Sequence, residues 1–313
     1  MLGKDLPLFC IVNPAAGRGR TARLWPEIER FLRQAGLRYR AFFTKGNGHA
    51  AELAERAARR DQGILLAVGG DGTVNEVVNG IASARAFPTT TLALLPTGSG
   101  NDLCRTLGIS GEPLSVLRAL ASGSCRPLDV GFVGDRCFLN ICGVGFDAEV
   151  AYAVNQGFRW LRGPCAYLAG VLKTLVGFRP VLFDLVLDGQ RHQFRGMMVA
   201  VANGAFFGSG IKIAPRARID DGLFDVCAVG EIGKMELLRL LPLTYSGRHE
   251  GHPSVRFFRA REVHISSPEA TLYIQGDGEI LGKTPAVFRI RRHAIRVLVP
   301  EERGSLASSE RAG

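Results

Sequence analysis

The stretch from Ala67 to Glu76 constrains the fold of this chain more than any other. An apolar run leads into Gly69-Gly70-Asp71-Gly72, and apolar residues then recur at helical spacing from Val74 onwards. This order predicts a buried strand, a tight glycine turn and a helix. Glycines let such a turn adopt positive φ and lie against a ligand, and the N-terminus of the following helix favours an anion. A single acid in the turn, Asp71, suits a magnesium-bound phosphate better than a bare phosphate, although a turn without a ligand has the same pattern.

The rest of the first 125 residues repeats this alternation of strands and helices. Apolar strand patterns cover residues 8–12, 38–44, 64–68 and 91–95, and helical patterns separate them. Such an order predicts a parallel sheet covered on both faces, which is a Rossmann-like α/β domain over residues 1–125. Ligands of such sheets bind outside the carboxyl ends of the strands, where we expect three loops of this sequence to converge.

The pattern changes after about residue 125. Short alternating segments separated by turn residues, such as Asp188-Gly189 and Asp221-Gly222, predict an antiparallel β-sandwich domain over residues 126–300. Helical segments interrupt it near residues 150–177 and 234–241. We expect the polar end of the chain, residues 301–313, to form a flexible tail.

The net charge indicates the class of partner, and the cysteine content indicates the cellular compartment. The 313 residues carry a net charge of +10, which favours an acidic partner such as nucleic acid, an anionic lipid surface or a polyphosphate. The seven cysteines form no Cys-x-x-Cys pair, which is typical of reduced thiols in a cytoplasmic protein. Residues 1–9 show no signal-peptide pattern, and no apolar run is long enough to span a membrane.

Two further loops carry polar groups suited to a nucleotide. Asn13-Pro14-Ala15-Ala16-Gly17 follows the first strand, and Pro96-Thr97-Gly98-Ser99-Gly100-Asn101-Asp102 follows the fourth. Their glycines permit close backbone approach, while side chains such as Asn13 and Ser99 supply hydrogen bonds. The Asn-Asp pair that ends the second loop either caps the following helix or reaches a metal. The sequence contains neither the Walker A loop nor the Gly-x-Gly-x-x-Gly dinucleotide motif at these places.

Together these motifs resemble the catalytic domain of the diacylglycerol kinase family, which includes bacterial soluble lipid kinases and the sphingosine and ceramide kinases. The second half adds Gly145-Phe146-Asp147, Asp220–Val226 and Gln275–Glu279, so the resemblance covers nearly the whole chain. It implies an ATP- and Mg²⁺-dependent lipid kinase that transfers the γ-phosphoryl group to a hydroxyl of diacylglycerol or a related lipid. It also implies that ATP binds in the cleft between an α/β domain and a β-sandwich domain.

The resemblance also assigns site residues. The nucleotide positions that it implies are Asn13, Pro14, Ala15, Ala16, Gly17, Thr44, Gly70, Asp71, Gly72, Thr73, Val74, Asn75, Glu76 and Ser99. The turn at 220–226 resembles a structural metal site, in which the side chain of Asp221 and the main-chain carbonyls of Arg218 and Leu223 would hold Mg²⁺ or Ca²⁺. A type I′ hairpin turn without an ion is the alternative interpretation of that turn.

Three acids compete for the role of general base. Asp277-Gly278-Glu279 matches the segment that supplies the base in the family, and a lipid hydroxyl needs a carboxylate within hydrogen-bonding distance to take its proton. Glu279 is our first choice, with Asp277 as its partner or as a magnesium ligand. Asp71 is the rival, although we expect it to organise magnesium-bound ATP. A hairpin turn alone also explains Asp277-Gly278.

One helical segment is a candidate for contact with the lipid. Residues 158–179 combine aromatic and leucine side chains with Arg159, Arg162, Lys173 and Arg179. Such a segment either rests on an anionic membrane surface or packs as an ordinary helix on the sandwich. We therefore expect a cytoplasmic protein that associates peripherally with membranes. The sequence leaves open whether it forms a homodimer.

Other functions remain open at this point. An NAD kinase-like enzyme shares the Gly-Gly-Asp-Gly loop, but the loop at 96–102 and the apolar helices of the second domain argue against it. A nucleotide- or lipid-binding regulator without catalysis is disfavoured because Asp71, Asp277 and Glu279 are all present. Nucleic-acid binding explains the charge and none of the motifs, so we expect no nucleic-acid partner.

Overall fold

A computed structural model describes residues 7–60, 63–157 and 164–300. Strands and helices alternate in the N-terminal region: β1 (Leu8–Val12), α1 (Ala16–Gln34), β2 (Tyr39–Phe43), α2 (His49–Arg60), β3 (Ile64–Gly69), α3 (Asp71–Ser83), β4 (Thr91–Pro96), α4 (Asp102–Thr106) and α5 (Pro113–Ala121). The four strands pair in parallel in the order β2-β1-β3-β4. Every residue of β1, β3 and β4 is buried, so both faces of the sheet are covered. The predicted parallel α/β domain is confirmed.

The rest of the chain is mainly antiparallel. Its strands are β5 (Ser124–Val133), β6 (Arg136–Phe138), β7 (Ile141–Gly145), β8 (Val181–Leu187), β9 (Gln190–Ala202), β10 (Phe224–Gly230), β11 (Val255–Ala260), β12 (Glu262–Ser266), β13 (Tyr273–Gly276), β14 (Glu279–Lys283) and β15 (Ala286–Val299). The helices are α6 (Phe146–Gly157) and α7 (Pro164–Gly177), which separate β7 from β8, and α8 (Lys234–Tyr245), which follows β10.

Side chains on the two faces of the antiparallel sheet enter two different apolar clusters. Met198 and Ala200 of β9 pack with residues of α6, α7 and α8, whereas Val199 and Val201 belong to a cluster of strand residues and Leu272, with no residue from a helix. Successive residues of a strand point to opposite faces, so the alternation along β9 produces both clusters. This arrangement confirms the predicted antiparallel, sandwich-like C-terminal domain.

The two regions share one continuous sheet. β15 pairs with β5 and β12 in antiparallel orientation, and its end pairs in parallel with β4, where Val297 lies opposite Leu92. Val297 and Leu298 belong to the same apolar cluster as the residues of β1 and β3. The chain therefore returns to the N-terminal core after the division that we placed at residue 125, and the division itself stays a prediction.

The proposed membrane segment is only partly described. Residues 158–163, which include Arg159 and Arg162, lie outside the described residues, as does the expected tail at 301–313. The following part of the segment forms α7. Across the described ranges, no helix combines the length and apolar character needed to cross a bilayer.

Candidate active site

Three loops of the N-terminal domain meet at the carboxyl ends of their strands. They follow β1, β3 and β4, and their backbones approach so closely that no side chain fits between them. A Cβ atom on Gly98 would lie 2.4 Å from Cα of Gly70, and one on Gly17 would lie 2.2 Å from the carbonyl oxygen of Thr97. The glycines are therefore needed for the loops to converge, and they leave backbone groups free to face a ligand.

Several side chains of the predicted nucleotide loops hold neighbouring elements in place. Asn13 Nδ2 donates to Thr73 Oγ1 over 2.9 Å, which joins the first loop to the first turn of α3. Glu76 accepts the backbone N–H groups of Gly48 and Ala50, both at 2.9 Å, at the start of α2. The remaining predicted residues divide into an exposed or half-buried set, Pro14, Ala15, Ala16, Gly72 and Ser99, and a buried set, Thr44, Val74 and Asn75.

The carboxylate of Asp71 faces the loop after β4. Asp71 Oδ2 accepts the N–H of Asn101 and Oδ1 accepts the N–H of Asp102, both at 2.6 Å. Asp71 therefore satisfies the start of α4, whose own N-cap residue, Asn101, makes no side-chain cap. Burial raises the pKa of Asp71, and the backbone hydrogen bonds partly offset that effect. Each carboxylate oxygen keeps further acceptor capacity.

Asp102 connects the N-terminal domain to the sandwich. Its Oδ2 accepts the N–H of Ser209 over 2.8 Å, in the loop after β9. Its Oδ1 is buried and has no hydrogen-bond partner among the described residues. Burial and the nearby charge of Asp71 raise the pKa of Asp102 to about 6. Sequence reasoning proposed a cap or a metal ligand here and did not foresee the contact with the second domain.

Asp277 approaches the same place from the other side of the cleft. Asp277 and Gly278 both have positive φ, 48° and 92°, in the type I′ turn between β13 and β14. Its carboxylate accepts four hydrogen bonds of 3.1 to 3.2 Å, three from the backbone of residues 139–141 and one from Asn75 Nδ2 of α3. Burial raises the pKa of Asp277 to about 6 in spite of these donors. The hairpin interpretation of the Asp-Gly pair is thus correct, and the same turn reaches the site.

Carboxyl groups from both domains and an apolar wall line one cavity of about 240 Å³. The acids are Asp71, Asp102, Asp147 and Asp277, and the apolar residues are Ala151, Val154 and Phe207. Burial raises the pKa of Asp147 to about 6. Its Oδ1, like Oδ1 of Asp102, is buried and makes no hydrogen bond to the described residues. A cavity with this lining suits a cation or a hydrogen-bond donor that is attached to an apolar group.

Comparisons with known proteins find a family model for each half of the chain. The model of the Diacylglycerol kinase catalytic domain matches residues 7–133, and that of the YegS C-terminal NAD kinase beta sandwich-like domain matches residues 140–299. A diacylglycerol kinase of Bacillus subtilis (strain 168) is 32% identical over 295 residues, which cover 94% of this chain and 96% of that protein. This chain belongs to the diacylglycerol kinase family. A diacylglycerol kinase of Staphylococcus haemolyticus is 31% identical over 293 residues, which cover 93% and 88% of the two chains.

A solved structure supports the same assignment. The crystal structure of a putative diacylglycerol kinase from Bacillus anthracis str. Sterne has a TM-score of 0.80 and 25% identity, with 95% of this chain and 96% of that chain covered. The resemblance stated from the three loops is therefore confirmed. By membership in the diacylglycerol kinase family, the chain is an enzyme of the lipid kinase class.

Glu279 of this diacylglycerol kinase family member lies just beyond the Asp277 turn. It begins β14 and is not among the residues that line the cavity. Its Oε2 accepts a hydrogen bond of 2.8 Å from Arg136, and its side chain is 38% exposed. Its role as general base stays a prediction.

The loop that resembles the family's structural metal site is held by arginine. Asp221 Oδ1 accepts the N–H of Leu223 over 3.1 Å, and Oδ2 contacts the guanidinium group of Arg259. Arg218, Asp221 and Leu223 as they stand do not fit Mg²⁺ or Ca²⁺, because Arg259 already neutralises the only carboxylate in the set. The alternative of a type I′ turn is wrong, because Gly222 has a positive φ of 77° and Asp221 does not. No three His, Cys, Asp or Glu side chains form a metal-binding group within residues 7–60, 63–157 and 164–300.

Proposed function

We propose that this chain transfers the γ-phosphoryl group of magnesium-bound ATP to a hydroxyl of diacylglycerol or a related lipid. The observation that carries the proposal is the 240 Å³ cavity, where carboxyl groups of both domains meet an apolar wall. A lipid headgroup next to its first acyl carbons has the same division into polar and apolar parts. The names of the relatives from Bacillus subtilis and Staphylococcus haemolyticus support this choice of acceptor.

The proposed nucleotide site is the edge where the three loops converge. It comprises Asn13 to Gly17, Gly70 to Glu76 and Ser99 of these loops, together with Thr44, which follows β2. The start of α3 has no side-chain cap, so the first turn of the helix and the positive end of its dipole can face a phosphate. Magnesium, when bound with ATP, neutralises charge on the phosphate oxygens. The spare acceptor capacity of Asp71 and Oδ1 of Asp102, which makes no hydrogen bond to the described residues and lies 3.9 Å from Arg105 Nε, are the groups that would hold it.

Glu279 is the proposed general base, and Asp277 is a positioning residue. The four hydrogen bonds to Asp277 occupy the acceptor positions of both its oxygens, so an additional hydroxyl would have to displace one of these donors. Glu279 is tied through Oε2 to the exposed Arg136 and stands one residue after Gly278, which lines the cavity. In this assignment Asp277 fixes the turn and Glu279 takes the proton.

Radiolabelled ATP tests the proposed reaction. The protein is incubated with mixed micelles of diacylglycerol, sphingosine or ceramide, and with NAD as a parallel acceptor. We expect label in a lipid. Label in NAD and none in any lipid would show an NAD kinase-like enzyme, and ATP binding without transfer to any acceptor would show a regulator.

Substitution of Glu279 by glutamine tests the proposed base. Loss of a general base typically costs about 10²- to 10⁴-fold in rate, so we expect transfer to fall by that range while ATP still binds. Glu262→Gln is the matched control, because Glu262 also pairs with an arginine, Arg289, but on β12 away from the cavity. Wild-type turnover in Glu279→Gln would exclude Glu279 and move the role of base to Asp71, since the acceptor positions of Asp277 are already occupied.

The proposal includes that the protein is cytoplasmic and binds peripherally to an anionic membrane surface. The acceptor lipid resides in a bilayer, and the net charge of +10 favours an anionic one. Binding to anionic liposomes that does not weaken at all with added salt would exclude an electrostatic contribution.

A further inference from the structure

The large apolar side chains that the described residues expose are concentrated on two helices. α7 exposes Leu172 and Val176, and α8 exposes Met235, Leu243 and Tyr245. Val176 is 78% exposed and Met235 is 65% exposed, which is unusual for side chains of this size in a folded domain. We call these five residues the α7–α8 surface.

α8 has apolar side chains on both of its faces. Leu237 and Leu240 point into the core of the sandwich domain, as an amphipathic surface helix requires. The opposite, exposed face combines Met235, Pro242 and Leu243 with the basic side chain of Arg239. A helix of this kind normally packs against a second partner, so its outer face indicates an interaction surface.

The two helices meet at one end. Lys234 Nζ donates a hydrogen bond of 2.7 Å to the carbonyl oxygen of Val176, so the end of α7 lies beside the start of α8. The hydrogen bond thus brings the end of α7, where Val176 lies, next to the start of α8, where Met235 follows Lys234. The α7–α8 surface includes this junction of the two helices.

The charges around the α7–α8 surface are mainly basic. Lys234 and Arg239 are exposed on α8, and Lys173 is exposed on α7. α7 contains no acidic residue, and the one acid of α8, Glu236, lies 3.0 Å from His252 Nε2. An apolar centre with a basic rim complements the surface of an anionic bilayer. The same rim disfavours a second copy of this face, because a two-fold contact would bring like charges together.

The α7–α8 surface is also connected to the cavity of the active site. α6 supplies Ala151 and Val154 to the lining of the cavity. α7 packs directly on α6, since a Cβ atom on Gly170 would lie 2.5 Å from Val154 Cγ2. A bilayer at the α7–α8 surface would thus be one helix away from the apolar wall where the lipid acceptor is proposed to bind.

We propose that the α7–α8 surface inserts its apolar side chains into the interfacial layer of an anionic bilayer. The proposal rests on the proposed lipid kinase function, which supplies the reason for a bilayer partner, and it adds the surface and the mode of contact. Because buried apolar side chains carry much of the binding, part of the affinity persists when salt screens the basic rim.

Vesicle sedimentation tests the inserted side chains directly. The full chain is mixed with vesicles of phosphatidylcholine and phosphatidylglycerol at low and high salt, without ATP. The double variant Val176→Ser/Met235→Ser changes no charge, and we expect its affinity to fall by about tenfold for each residue that no longer inserts. The matched control, Val176→Ile/Met235→Leu, keeps the apolar character and should bind within about twofold of the wild type. Met235→Ser alone serves if the double variant does not fold.

Three results would overturn the surface assignment. The first is vesicle binding by the serine variant equal to that of the wild type, and the second is no binding by the wild type. The third is a wild-type dimer in size-exclusion chromatography that the serine variant converts to a monomer, since a second copy would then occupy the surface. Transfer of label by the wild type to a short-chain, water-soluble diacylglycerol needs no vesicle. That measurement therefore distinguishes a failure of the surface assignment from a failure of the proposed reaction.

Discussion

Two hairpins of the sandwich domain contain the same Asp-Gly turn. Asp188-Gly189 joins β8 to β9, and Asp277-Gly278 joins β13 to β14, with positive φ at both residues of each pair. In each hairpin the aspartate accepts backbone N–H groups of a neighbouring segment. The donors are residues 261 and 262 for Asp188 and residues 139–141 for Asp277. The turn and its hydrogen bonds are therefore structural in both cases.

The two aspartates differ in what lies beyond the turn. Asp188 is exposed, and its partners belong to its own domain. Asp277 also accepts a hydrogen bond from Asn75, on α3 of the other domain, and lines the cavity. An Asp-Gly pair thus identifies a turn, and only the element packed against that turn makes it part of a site. The following predictions test this distinction.

We expect the largest difference between the two aspartates in the enzymatic activity of their asparagine variants. Asp277→Asn places an amide group against backbone donors, which displaces the turn and the adjacent Glu279. We expect kcat/KM for lipid phosphorylation to fall by at least about a hundredfold, since a small misplacement of reacting groups has effects of that size. Asp188→Asn should stay within about twofold of the wild type. Equal losses in the two variants would show that the turns contribute to activity only through folding.

We expect the next largest difference in the free energy of unfolding of their alanine variants. Asp277→Ala leaves the buried N–H groups of residues 139–141 without acceptors, and we expect it to lower the free energy of unfolding by about 3 kcal/mol. Water can replace the exposed carboxylate in Asp188→Ala, so we expect a loss of about 1 kcal/mol there. Urea denaturation of both variants provides the measurement. A loss for Asp188→Ala as large as that for Asp277→Ala would contradict the difference in burial.

The pH dependence of stability tests the buried aspartate separately. Burial raises the pKa of Asp277 to about 6, whereas an unfolded aspartate titrates near 4. The native state therefore binds more protons between these values, and ionisation of Asp277 lowers stability as the pH rises from about 4 to 7. Asp277→Asn cannot titrate, so the wild type should lose about 2 kcal/mol more than this variant over that range. Parallel stability curves for the two proteins would exclude the raised pKa.

The glycines of the two turns should give the smallest and most similar effects. Gly189 and Gly278 have φ of 87° and 92°, and a Cβ atom on either would meet nothing within 4 Å. Substitution by alanine therefore costs only backbone strain, about 1 kcal/mol at each position. Thermal unfolding should show equal shifts. A clearly larger shift for Gly278→Ala would mean that the two turns already differ in their backbones.

Much of the fold and the general position of the site could be predicted from the sequence. Apolar runs that end in glycine, such as the one before Gly70, report strands and turns through local periodicity. The convergence of three loops then follows from the topology of a parallel sheet, because the strand ends meet at one edge. The Gly98 and Gly70 backbones do meet there.

Contacts between distant side chains could not be predicted in this way. Asp71 binds the N–H groups at the start of α4, and Asp102 binds Ser209 of the other domain. Arg259, on β11, forms an ion pair with the carboxylate of Asp221, and the sequence of β11 does not indicate this contact. Such pairs depend on tertiary packing, and no local pattern of residue types encodes them.

The position of β15 has a consequence for the order of assembly. This strand closes the edge of β4, yet it comes much later in the chain and is synthesised well after β4. Until it arrives, the parallel sheet presents an apolar strand with unpaired backbone groups, which is a template for association with other chains. A fragment that ends near residue 133 would keep that edge open permanently. Pairing with β15 removes this exposed edge of the parallel sheet once the strand is in place.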